Sequence, residues 1–229
     1  MKNFSLYFLF SLVAIFFAWF WKGPISGRGG LPFPGCLEIP VPQLFQADPR
    51  WGNEPLGTSP PDTIATTGCA ISSAAMVLAF YGVKLTPQEL NLYLISHDGY
   101  EGTSWVKWEV AVTYPPGIAE HIYEDLPSYG LIDWNLLQGN PVVVRIRKPN
   151  GTNHFVVIVG KRGFNYLIRD PAPAGVKGVY PLREVGAPID ALRYFKKITT
   201  NVVQAGRNSP QGTQRYTKEH KKRIFIKIL

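Results

Sequence analysis

The chain predicts an α+β domain, and three observations predict it: an apolar helix-forming run early in the sequence, β-branched and aromatic runs later, and turn chemistry between those runs. The stretch from Cys69 to Tyr81 reads as a helix, with Ala70, Ala74, Met76, Val77, Leu78 and Phe80 supplying a largely buried surface and Gly82 as its stop. Thr86, Pro87 and Glu89 form an N-cap, a first-turn proline and a capping box for a second helix through Leu94. A third helix is expected between Ile118 and Leu126. The pattern then changes. "PVVVRIR" (141–147), "HFVVIVG" (154–160) and "FNYLIRD" (164–170) read as strands, and "KPNGTN" and "KRG" between them read as turns. Helices first and an antiparallel meander afterwards complete the fold class.

Around this domain, 43–198, lie three segments of different character. Residues 1–22 hold an uncharged, almost wholly apolar stretch from Asn3 to Trp21, and about 20 apolar residues span a bilayer as a helix. Trp19, Phe20, Trp21 and Lys22 close the run like an interfacial belt, which favours a retained anchor over a cleaved signal peptide. The expected protein is therefore a single-pass membrane protein with its domain outside the cytoplasm, or a secreted one if the segment is removed. Residues 23–42 are rich in Gly and Pro and read as a tether. Residues 199–229 form a polar, basic tail with no apolar period.

The net charge of +8 belongs to the ends. Residues 201–229 carry seven Lys/Arg against one Glu, Lys2 and Lys22 add two more, and the remainder is neutral. With no basic stripe in the domain and no CxxC pairs, nucleic-acid binding is not expected. No H-x-x-x-H or E-x-x-H spacing is present, so a metal site is not expected; no organic cofactor is expected either. "NGT" at 150–152 matches a glycosylation sequon but reads more simply as a turn.

Cys69 is one of two cysteines, and its surroundings leave its role open. Small residues after it suit core packing, whereas a position at a helix mouth suits chemistry: the positive end of the helix favours a thiolate, and its free N–H groups face a developing oxyanion. A disulfide to Cys36 would remove the thiol altogether. Further along, a three-residue turn at Lys161–Gly163 would pair residue 160 with 164, and counting back along both strands brings His154 opposite Asp170 on one face. A slip of one residue in register would put them on opposite faces. An imidazole oriented by a carboxylate is what a thiol nucleophile needs. His97, His121 and His220 have weaker claims, His121 because "AEHIYEDL" reads as a helix with the histidine on its solvated side.

Taken together, "VPQLFQADPRWG", "TIATTGCAISSAAMVLAFYG", "NHFVVIVG" and "YLIRDPA" resemble the C39-like cysteine peptidases, bacterial papain-fold proteins related to the bacteriocin-leader peptidases. The resemblance implies a papain-like fold acting on a peptide or protein substrate, with Cys69 as nucleophile, His154 as general base and acid, and Asp170 orienting the imidazole. It also implies that Gln46, with Gln43 as a near alternative, donates its amide to an oxyanion hole beside the Cys69 N–H. Asp48 and Trp51 are implied to be structural parts of the Gln46 loop. Ala70 and Ile71 stand where the family usually has a small or acidic residue and then proline. The same fold without activity, binding peptides or wall polymers outside the membrane, is the alternative.

Overall fold

The computed structural model describes residues 7, 9–14, 16–17, 21–58, 61–124, 126–148 and 150–198. The basic tail lies outside the described residues, as do residues 1–6, 8, 15 and 18–20 of the expected anchor. The described residues between 7 and 17 are helical and expose Leu9, Phe10, Phe16 and Phe17, and among the described residues no helix is long and apolar enough to cross a membrane.

From residue 28 the order is β1 (Arg28–Glu38), α1 (Ile64–Thr67), α2 (Cys69–Phe80), α3 (Pro87–Ser96), β2 (Tyr100–Glu101), β3 (Trp105–Val106), α4 (Trp108–Ala111) and β4 (Ala119–Glu124). There follow α5 (Tyr129–Leu137), β5 (Val142–Arg147), β6 (Asn153–Arg169), β7 (Tyr180–Pro181) and β8 (Ile189–Lys197). An antiparallel sheet runs in the order β1-β6-β5-β8-β4, with β7 also on β6, while β2 and β3 form a separate ribbon. The predicted α+β class is therefore observed, with helices ahead of most of an antiparallel sheet.

The central helix, α2, is apolar on every side, and Ile71 through Leu78 are all buried. It packs on β6, where Ser73 Oγ donates to the Phe155 carbonyl at 3.2 Å. Each fully buried Met, Val or Leu side chain contributes roughly 1.5–3 kcal/mol, so α2 is held by what it displaces from water and has no solvent face to spare. The second helix, α3, starts as its sequence predicts: Glu89 N–H donates to Thr86 Oγ1 at 3.2 Å, and Glu89 Oε2 accepts from Thr86 N–H at 2.7 Å.

Three expectations are corrected. The helix expected within 118–126 is strand β4, paired along its length with β8. Ile118, Ile122 and Leu126 recur every four residues, a spacing that satisfies one face of a helix and one face of a strand alike. The tether contains β1, whose Pro32 and Pro34 fall on the edge of the sheet, where a missing N–H costs no ladder bond. Last, Lys161–Gly163 is no free turn. Residues 160–165 stay paired with β1, and Lys161 is buried with its Nζ on Asp133 Oδ1 at 2.5 Å. Gly160 is required there because a Cβ would run into the Leu37 carbonyl as β1 passes over it.

Candidate active site

His154 is the second residue of β6 and Asp170 the first after it. Sixteen extended residues would separate them by about 50 Å, yet His154 Nε2 meets Asp170 Oδ1 at 2.8 Å. The chain must therefore double back within β6, and Gly163, at φ +55, allows the reversal that an L side chain resists. The expected contact is present; β1 wraps the bend instead of leaving a loop.

Asp170 is 3% exposed and its carboxylate is fully engaged. Oδ1 accepts from His154 and from the Ala172 N–H at 2.8 Å, and Oδ2 accepts from the Tyr180 hydroxyl at 2.6 Å. Burial alone would push this carboxyl up, but His154, Tyr180 and Ala172 hold it below the usual carboxylate range. Burial and the Asp170 charge push the Tyr180 hydroxyl up, so it remains a donor. Because an ionised carboxylate only accepts, Nε2 of His154 carries the proton of this bond, and Nδ1 is the nitrogen left for another partner. Cys69 is the other group that acts on the ring; its thiol also donates to the Thr67 carbonyl at 3.9 Å. Burial works against the charged ring, but hydrogen bonds to Asp170 and to the Cys69 thiol, with the charges of both, raise the His154 pKa from 6.5 to about 9.

Cys69 opens α2 directly after the break at Gly68, where a Cβ would collide with the Ile64 carbonyl. In an unbroken helix the Cys69 N–H would bond the Ala65 carbonyl four residues back. Here Gln46 Nε2 donates to that carbonyl at 2.6 Å. The Gln46 backbone N–H donates to the Pro171 carbonyl at 2.9 Å, which ties the glutamine loop to the residue after Asp170. Trp51 Nε1 closes the loop on the Phe45 carbonyl at 2.8 Å, and Asp48 pairs with Arg50. Gln43 sits elsewhere, its Nε2 donating to the Asp170 carbonyl at 2.8 Å. The structure thus brings Cys69, His154 and Asp170 together, sets Gln46 against the helix start, and places Gln43 behind Asp170.

Both cysteines are free: Cys36 is exposed and Cys69 half-buried, so the disulfide does not form. His121 is on β4, stacked on Trp108 and edge-on to Phe195, and burial with the nearby Arg193 charge lowers its pKa to about 4. The solvated helical face expected for it is not there. Asn150 accepts from Thr152 N–H and Oγ1, the turn expected at the sequon. Among the described residues no group of three or more His, Cys, Asp or Glu is placed to hold a metal ion.

A cleft of about 390 Å³ opens at Cys69, bordered by Trp105, Trp108, Asn153 and Phe155. Two features here escape sequence reasoning. Tyr180 lies ten residues beyond Asp170 with no local motif to mark it, and the two tryptophans reach the site from a small ribbon and a short helix.

Residues 38–194 match the model of the Peptidase_C39 like family. No curated protein matches the chain. A crystal structure of a protein assigned as a C39-like peptidase from Bacillus anthracis is 18% identical, covers 71% of this chain and 98% of that one, and has a TM-score of 0.46.

Proposed function

The chain belongs to the Peptidase_C39 like family, and from that premise we propose that it is a cysteine peptidase of papain-like architecture, acting through an acyl-enzyme on Cys69. The observation that carries this reading is the orientation of His154, with Nε2 on Asp170 and the ring against the Cys69 thiol at the start of α2.

The reactive form is the thiolate, with its proton on His154. Sulfur attacks the carbonyl carbon of the scissile peptide bond, and the electron pair of the C=O moves to oxygen. The Cys69 N–H at the helix start and the second N–H of the Gln46 amide stabilise that oxyanion. As the tetrahedral intermediate collapses, His154 donates its proton to the departing amine nitrogen, leaving a thioester. Water then attacks the thioester carbonyl while His154 takes one of its protons, and the carboxylic acid leaves as sulfur recovers the proton. Asp170 keeps the imidazolium oriented throughout and remains ionised. On the apolar sequence of residues 1–22, the domain works outside the cytoplasm, fastened to the membrane, on a peptide or protein substrate.

Full-length protein in detergent, incubated with a mixed peptide library and followed by mass spectrometry, tests this. Cleavage is expected and is lost in Cys69→Ala; undiminished cleavage by Cys69→Ala overturns the reading.

A further inference from the structure

The cleft at Cys69 has a floor and a lip of different kinds. Trp108 and Phe155, 6% and 8% exposed, pack their rings at 5.2 Å and form the floor. Trp108 is fixed further by Phe195 and His121 on its other sides. Trp105, on β3, leaves 61% of its surface in water at the lip. The other lining side chains are small or neutral, and none but Cys69 itself ionises. At about 390 Å³ the space is of the size that takes a compact organic group. Away from the Cys69–His154 pair at its end, a charged group entering the cleft gives up hydration and finds no counter-charge on the walls, whereas a flat apolar group covers Trp105 and rests on Trp108 and Phe155.

We propose that this cleft selects substrates carrying an uncharged aromatic or bulky aliphatic side chain beside the scissile bond, with Trp105 as the specificity-determining residue. The inference rests on Cys69 being the nucleophile. Trp105 closes over the bound side chain, and Asp, Glu, Lys or Arg at that place in the substrate is refused.

Iodoacetamides that differ only in the amide substituent test it on the full-length protein, since Cys69 borders the cleft and the substituent is carried beside it when the sulfur is alkylated. Plain iodoacetamide, N-phenethyl, N-carboxyethyl and N-aminoethyl iodoacetamide are compared, each rate being divided by that with glutathione. The N-phenethyl reagent is expected to label Cys69 at least tenfold faster than either charged reagent, and Trp105→Ala to reduce the ratio below threefold. Thr152→Asp, which adds a carboxylate to the cleft wall, shifts preference toward the N-aminoethyl reagent. Equal normalised rates for all substituents, or preference for a charged one in the unaltered protein, overturn the inference. Plain iodoacetamide reacting at Cys69 no faster than with glutathione overturns the nucleophile reading instead, whatever the ratios.

Discussion

Two carboxylates lie against β6, and each accepts hydrogen bonds from a basic side chain and from a tyrosine hydroxyl. At Asp170 the donors are His154 and Tyr180; at Asp133 they are Lys161 and Tyr166. The ingredients match, but the surroundings do not. Lys161 and Asp133 are both 0% exposed, and the ammonium lies over the rings of Phe33 and Tyr166 with β1 laid across it. His154 keeps a ring nitrogen toward Cys69, and Cys69 borders an open cleft. Burial and perturbed titration are therefore common to both pairs and mark neither as reactive. What separates them is a nucleophile within reach and a way in for a substrate. One pair fixes the bend of β6, and the other stands at the two ends that the bend brings together.

Five variants sharpen that contrast. His154→Ala has the largest expected effect, lowering kcat/KM for peptide cleavage by about 10²–10⁴-fold. Steady-state kinetics check it, and an unchanged kcat/KM would put His154 with Lys161 as a structural residue. Asp133→Ala leaves Lys161 buried without its carboxylate and is expected to lower stability by about 3–5 kcal/mol, measured by urea unfolding. Replacing both partners, Asp133→Leu with Lys161→Met, should restore most of that loss if the pair serves structure alone.

Asp170→Asn acts on the pH profile. The carboxylate and the Cys69 thiol together raise the His154 pKa to about 9 against burial, so the basic limb of kcat/KM falls near that pH and moves to lower pH when the Asp170 charge is removed. A limb that stays in place would separate Asp170 from the titration of His154. The smallest effect is expected of Tyr180→Phe, which deletes one hydrogen bond to a charged group, worth about 1.5–3 kcal/mol. Asp170 is depressed below its unfolded value of 3.8, so its stabilisation is present above that pH and lost as pH falls through the folded pKa. The stability gap between Tyr180→Phe and the unaltered protein should accordingly close in acid; a gap independent of pH would assign Tyr180 to packing.

The legibility of the chain follows the range of its interactions. Helix α3 was readable because Thr86, Pro87 and Glu89 act within one turn. The pairing of His154 with Asp170 was readable because counting residues back from Gly163 needs only local geometry. β1 was not, because its glycines and prolines have the composition of a linker and become a strand only against a bend some 130 residues later. Lys161 was misread for a related reason: a lysine before Arg and Gly is ordinary turn chemistry, and its carboxylate is 28 residues away on α5. Cys69 is the intermediate case. Its helix was plain, but the break at Gly68 and the capture of the Ala65 carbonyl by Gln46 depend on a loop that the sequence alone does not bring near.

Cys36 provides an internal reference for the central claim, since it is a free and more exposed thiol in the same chain. Alkylation of both cysteines by iodoacetamide, followed site by site with mass spectrometry from pH 5 to 9, measures directly whether His154 activates Cys69. Cys69 is expected to react faster than Cys36 at pH 6 despite its lower exposure, and His154→Ala to abolish the advantage. A Cys69 rate that trails Cys36 at every pH, or that is indifferent to His154→Ala, would contradict the claim.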